Sequence, residues 1–185
     1  MLDRDKIIKA VNEILIAIGE DPKRSGLKGT PERVAKMYEE IFSGGTKEAA
    51  KLLQITHDLE YDEMVVVKDI PFYSVCEHHM VPFFGVCHVA YVPQNKKIVG
   101  LSKLARVVET LSKKLQVQER FTMEIADAIM DNLNPKGAAV VVNARHLCME
   151  MRGIKKPGSS TITSVVRGLF RKDSKTREEF LKLIE

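Results

Sequence analysis

Two short segments constrain this chain more than anything else in it: Cys76-Glu77-His78-His79 and, far along the sequence, His146-Leu147-Cys148. Cys-x-x-His across a turn lets a thiolate and an imidazole reach one ion. Cys148, 69 positions after His79, is the natural third ligand. If the three share a metal, the fold must bring both segments together, which local spacing alone cannot show. Thiolate and imidazole donors suit zinc. A structural zinc wants four protein ligands, and either His78 or His146 would supply the fourth. An open site keeps three and leaves room for a water whose pKa zinc lowers to ~7. Two spare histidines beside such a water favour the open site, because imidazole is the usual general acid or base near neutrality.

The surrounding pattern predicts how these segments are carried. Ile7, Ile8, Val11, Ile14, Leu15 and Ile18 recur at helical spacing, so residues 4–19 read as an amphipathic helix. Thr30-Pro31 starts a second helix, with Thr30 as its N-cap, and Gly44-Gly45 ends it. Residues 64–70 and 83–92 read as strands that pair as an antiparallel hairpin with Cys76–His79 at its tip. Cys87 reads as a small buried hydrophobe and His88 as a structural residue. Two helices follow, one on Leu101, Leu104, Val108, Leu111 and Leu115, the other on Phe121, Ile125, Ile129 and Leu133. The polar Gln116–Arg120 segment between them has no period. Residues 138–151 read as a third strand and 159–170 as a fourth. Regular alternation through Arg152 would put His146, Cys148, Glu150 and Arg152 on one face with Val140 and Val142. A last helix begins at Thr176, spaced from Glu179 as in a capping box. The class is α+β, with a helical region over residues 1–60 and a strand–strand–helix–helix–strand–strand unit over 61–185.

Composition excludes several functions. No apolar run approaches the ~20 residues of a membrane span, and the charged start is no signal peptide. The net charge of +4 is spread among acidic residues rather than massed, which argues against nucleic acid. Three cysteines without an export signal read as thiols in a reducing, cytoplasmic compartment.

A small anion is another matter. Ser102 is a good N-cap for the helix after Gly100, and Lys103 and Arg106 place cations in its first turn, against the dipole. Helix N-termini bind phosphate through free N–H groups, so this start, with Arg152 and Arg33, makes a polyphosphate cradle. Arg33 sits at a position where a capping box would place Glu, so it reads either as a solvated arginine or as an anion contact. Glu119, beside Gln118, can accept two parallel N–H bonds of the kind a guanine edge offers.

Together, Cys76-Glu77-His78-His79, Gly100-Leu101-Ser102-Lys103, Gln116-Val117-Gln118-Glu119-Arg120, His146-Leu147-Cys148 and Met151-Arg152-Gly153 resemble the GTP cyclohydrolase I family. Thr30–Tyr38 and Thr176–Leu181 do so too, and the resemblance runs from about residue 27 to 185. It implies a tunnelling fold that joins into a barrel across subunits. It further implies a toroidal homodecamer with active sites shared at interfaces, and conversion of GTP and water to 7,8-dihydroneopterin triphosphate and formate. Carried over motif by motif, Cys76, His79 and Cys148 would hold Zn2+, and an activated water would attack C8 of the purine. His78 and His146 would move protons, and Glu119, with the backbone near Gln118, would hold the guanine edge. Ser102 would lie near the ribose or triphosphate. Lys103, Arg106, Arg152 and Arg33 would bind the triphosphate, with a neighbouring subunit as one source of Arg33. The competing reading is a non-catalytic module whose zinc is closed by His78 or His146. A third is another tunnelling-fold enzyme acting on a pterin or deazapurine.

Overall fold

A computed structural model describes residues 2–54 and 56–185. By internal contacts the chain divides into two compact units, Met1–Ser43 and Gly44–Glu185. In the first, α1 (Arg4–Ala17) packs on α2 (Thr30–Ile41). Asp3 caps α1 by accepting from the Lys6 N–H. The cap of α2 is Gly29, not Thr30, because the Thr30 hydroxyl accepts instead from the Arg33 guanidinium at 2.9 Å. Arg33 also reaches the Gly26 carbonyl at 3.4 Å, so this arginine closes its own helix start.

The second unit contains α3 (Thr46–Leu53), β1 (Thr56–Asp58), β2 (Val65–Cys76), β3 (Pro82–Val92) and β4 (Lys97–Val99). It continues through α4 (Leu101–Ser112), β5 (Leu115–Gln116), α5 (Gln118–Leu133), β6 (Gly137–His146) and α6 (Leu147–Glu150). β7 (Thr161–Gly168), α7 (Leu169–Lys172) and α8 (Ser174–Ile184) complete it. The main sheet runs β5-β2-β3-β6-β7, with β1 and β4 forming a separate ribbon. The architecture is α+β. Compactness places α3 with the sheet, so the physical division falls at residues 43/44, ahead of the division expected near residue 60.

The central strands β3 and β6 are almost wholly apolar because both faces are covered. Cys87, Val89, Val140, Val142 and Ala144 join one core with residues of α3, α4 and α5. Ala90, Val92, Ala139 and Val141 join a second with Phe170 of α7 and Phe180 of α8. Small residues in the sheet leave room there for the two rings, which meet edge to face at 5.9 Å. Gly85 in β3 opposes Ala144 so closely that a Cβ would sit 2.0 Å from the Asn143 carbonyl oxygen.

Several elements differ from the sequence expectation for identifiable reasons. β2 runs to Cys76 rather than stopping at residue 70. Pro71 interrupts nothing because β2 there pairs only with β3, and β5 joins its other side only at Val75 and Cys76. A bulge between Val67 and Ile70 puts Asp69 at φ 58°, and the His88 ring stabilises it by accepting the Asp69 N–H at Nδ1, 3.2 Å away. The cap of α8 is Asp173 rather than Thr176. Its carboxylate accepts from the N–H groups of Lys175 and Thr176. The polar 116–120 stretch is not a linker: it holds β5 and the first turn of α5. β6 ends at His146, and one helical turn replaces the expected continuation to residue 151. No helix among the described residues is long and apolar enough to cross a membrane.

Phe180 is 1% exposed, so Phe180→Ala should destabilise the protein by about 3–5 kcal/mol, measured by denaturant unfolding. Burial lowers the His88 pKa more than nearby Asp69 raises it, with Lys68 adding to the lowering. The unfolded chain therefore binds this proton first as pH falls through ~6.5, and stability is lost below that pH. A His88→Gln variant should thus gain on the wild type between pH 7.5 and 5.5 in paired denaturant titrations. A constant offset would contradict this.

Candidate metal centre

The candidate ligand cluster sits where β2 ends and β6 turns. Cys76 is the last residue of β2, and the Met80 N–H donates to its carbonyl across the turn at 2.9 Å. Register places Val75 opposite Pro82 and Phe83 opposite His146, so the hairpin tip lies beside the end of β6. There the chain leaves the sheet through α6, which carries Cys148 back towards the tip. One ligand atom each from Cys76, His79 and Cys148 lies within 4.8 Å of the others. Tetrahedral zinc with bonds of about 2.0–2.3 Å needs ligand atoms roughly 3.3–3.8 Å apart, so small side-chain adjustments suffice. Burial, with the Cys76 thiol beside it, pushes the Cys148 thiol up, against a weaker opposing pull from the Arg152 guanidinium. The donor set and spacing fit zinc.

Among the described residues no fourth group joins this set. His146 is committed elsewhere. Its Nε2 lies 2.7 Å from the Gln118 side-chain oxygen. The Gln118 amide nitrogen faces the carbonyls of Val142 and Thr161 and the Thr163 hydroxyl, at 2.9–3.1 Å. Carbonyls only accept, so the amide is fixed with its oxygen towards His146, and the imidazole carries its proton on Nε2. Nδ1 is then the basic nitrogen. Phe83 stacks on the ring at 4.8 Å with planes 1° apart, fixing its orientation. Burial lowers the His146 pKa, against an opposing pull from Glu119.

His78 is exposed on the turn, its ring 6.3 Å from that of His79. With Cys76, Gln118, Glu119, His146 and Cys148 it lines a pocket of about 190 Å³. Arg152, just past α6, donates to His79 Nε2 at 3.1 Å. Cys76, His78, His79, Gln118, Glu119, His146, Cys148 and Arg152 are therefore brought together. Cys148 and Arg152 arrive by a helical turn rather than by the strand alternation expected of them. Gln118 spends its side chain inside the protein, which leaves only its backbone for a ligand.

Ser102, Lys103 and Arg106 are placed elsewhere. The cap of α4 is Gly100, and Ser102 follows it, exposed, inside the first turn. The far end of α4 is the one near the cluster: the Ser74 hydroxyl donates to the Ser112 carbonyl at 2.7 Å, two residues before Cys76. The helix start adjoins Val99, whose N–H donates to the Tyr91 hydroxyl at the opposite end of β3. The 12 residues of α4 span roughly 17 Å of axis. Arg33 lies in the first unit, bonded to Thr30 and Gly26.

Sequence reasoning missed Phe83, the side-chain role of Gln118, and Arg120, which pairs with Glu77. A cation in the first turn of a helix, as Arg120 is in α5, was the available signal for a carboxylate partner. Cys87 is fully buried, as a small hydrophobe would be, and Arg167 donates to Asp127 on α5.

A model of the GTP cyclohydrolase I family matches residues 7–185. The chain is 59% identical over 184 residues to GTP cyclohydrolase 1 of Caldanaerobacter subterraneus subsp. tengcongensis, covering 100% of this chain and 98% of that one. It is 60% identical over 185 residues to GTP cyclohydrolase 1 of Pelotomaculum thermopropionicum, with the same coverage. Among solved structures, the archaeosine synthase QueF-Like in its apo form matches with a TM-score of 0.47 and 15% identity, covering 57% of this chain and 93% of that one. With a family model spanning nearly its whole length and full-length relatives near 60% identity, the chain belongs to the GTP cyclohydrolase I family of enzymes.

Proposed function

We propose that this protein is a zinc-dependent GTP cyclohydrolase I. It opens the purine ring of GTP hydrolytically, releases formate and forms 7,8-dihydroneopterin triphosphate, the first step of pterin biosynthesis towards folate or tetrahydrobiopterin. The observation that carries this reading is the three-ligand cluster beside a histidine that is held out of it. Zinc bound by Cys76, His79 and Cys148 supplies Lewis acidity that makes a water nucleophilic near neutral pH.

The chain's own groups do the rest. His146 has a fixed ring plane and a proton fixed on Nε2, so Nδ1 is the nitrogen that takes up and returns a proton. His78, exposed on the facing turn, serves as the second proton carrier. Glu119 stands in the first turn of α5, where the leading N–H groups have no partner within the helix. Its carboxylate and the backbone at Gln118 together match the donors and acceptors of a guanine edge. Arg152, a cation at the rim, meets the triphosphate.

Lys103, Arg106 and Ser102 bind the triphosphate of a site belonging to a neighbouring subunit, because in their own chain α4 points them away from the cluster. The homodecamer, with a tunnelling-fold barrel and sites at interfaces, supplies that arrangement. Arg33 is assigned to the same anion. The open edge of β7 and the exposed Tyr73 and Ile162 on the sheet are consistent with strands continuing into another subunit. Catalysis belongs to residues 61–185, carried with α3 and β1 in the second unit, and the two helices of the first unit are an appendage, in a cytoplasmic enzyme.

Pure protein incubated with GTP should yield formate and a pterin chromophore; absence of both with zinc bound would sink the reading. His78→Ala and His146→Ala should each keep one zinc per chain and lose about 10²–10⁴ in kcat. Loss of zinc and unfolding in either variant would instead mark a closed Cys2His2 structural site.

A further inference from the structure

Each ligand-bearing segment is bracketed by a salt bridge that the proposed chemistry does not use. On the turn, the Glu77 carboxylate sits between Cys76 and His78 and accepts from the Arg120 guanidinium. Arg120 is itself fixed: its Nε donates to the Gln116 side-chain oxygen at 3.0 Å and its Nη2 to the Leu115 carbonyl at 2.9 Å. Gln116 is fully buried, and its amide nitrogen donates to the Leu111 carbonyl at 3.0 Å and to Glu124 at 2.8 Å. Lys114 closes this chain on the other Glu124 oxygen at 2.8 Å. The Glu77 N–H also donates to the Gln116 carbonyl at 3.0 Å.

The second bridge closes the corner that carries Cys148. Arg145 donates to both Glu150 oxygens, Nε at 2.8 Å and Nη2 at 2.5 Å, across the residues from His146 to Met149. This fork forms only because the chain turns back on itself after His146. The Glu150 side chain is 7% exposed, and the guanidinium lies over the Phe84 ring at 5.7 Å.

We infer that Glu77–Arg120 and Arg145–Glu150 are positioning pairs, which hold the Cys76–His79 turn and the His146–Cys148 corner so that the three ligand atoms stand within 4.8 Å of one another before the metal arrives. The inference rests on Cys76, His79 and Cys148 being the metal ligands. Glu77 and Arg120 are each about a third exposed and Arg145 is 48% exposed, and ion pairs with a partner this open to solvent contribute little to global stability. Partners that orient a ligand-bearing segment act instead on affinity, because without them the metal must order the segment itself. Their effect is therefore expected in zinc binding and not in the stability of the metal-free chain.

The test uses the full chain stripped of metal, and compares the wild type with Glu77→Ala and Glu150→Ala. Zinc dissociation constants are measured by competition with a chromophoric chelator, and metal-free unfolding is followed by circular dichroism. Each variant should bind zinc about 10–100-fold more weakly, while its metal-free midpoint moves by no more than about 2–4 °C. Affinity within about twofold of wild type in either variant overturns the inference. So does a metal-free variant that is unfolded both as Ala and as the milder Gln, since the pair would then hold the fold rather than the site. A wild-type chain that binds no zinc would instead refute the metal assignment itself.

Discussion

The site depends on one pairing register, that of β3 against β6. Ten backbone positions match from Phe83 opposite His146 to Val92 opposite Gly137. This register sets the end of β6 beside the hairpin tip, and it aims His146 towards α5, where Gln118 waits. A slip of one residue would turn His146 to the other face of the sheet and bring Arg145 into its place. Both strands are buried on two faces, so such a slip would also exchange the residues packed in the two cores. The hydrophobic packing that holds the sheet together is thus what fixes the chemistry. Gly85 belongs to the same constraint, because only a residue without Cβ permits the approach to Asn143 and Ala144.

On that frame the polar groups divide the labour. Cys76, His79 and Cys148 converge because a strand end and a helical turn deliver them to one point. Gln118 ties α5 to β6, to the Thr161 end of β7 and to the His146 ring, so a single buried amide sets a tautomer and joins three elements. The α4 start, by contrast, is held at the far end of the same sheet. The proposed anion-binding residues of α4 and the ligand cluster therefore do not meet within one chain, and the proposed assembly is what would join them.

Much of this was legible in the sequence, and the failures are instructive. The grouping of Cys76, His79 and Cys148, with His78 and His146 lining the adjoining pocket, was readable because Cys and His at such spacings have few ordinary uses. The strand–strand–helix–helix–strand–strand order followed from periodicity, and the main elements of the second unit keep it. The strand expected to run through residue 151 fails at His146. Leu147–Glu150 has no breaker before it, and the turn is closed by a contact between Arg145 and Glu150 that no periodicity encodes. Residues 116–120 looked unstructured because Gln116 and Gln118 are polar yet buried, with their amides satisfied by partners distant in the chain. Glu77 had no sequence rationale for the same reason: its partner Arg120 is 43 positions away. The separation of the α4 cations from the cluster could not be seen at all, since it is a property of the sheet's length.

The central claim is that the metal keeps an open coordination position. X-ray absorption spectroscopy on the zinc-loaded full chain tests it most directly, by counting sulfurs and imidazoles around the metal. The account predicts two sulfurs, one imidazole and one further light atom that is not imidazole. Two sulfurs with two imidazoles would show the site closed by a second histidine, and would contradict it.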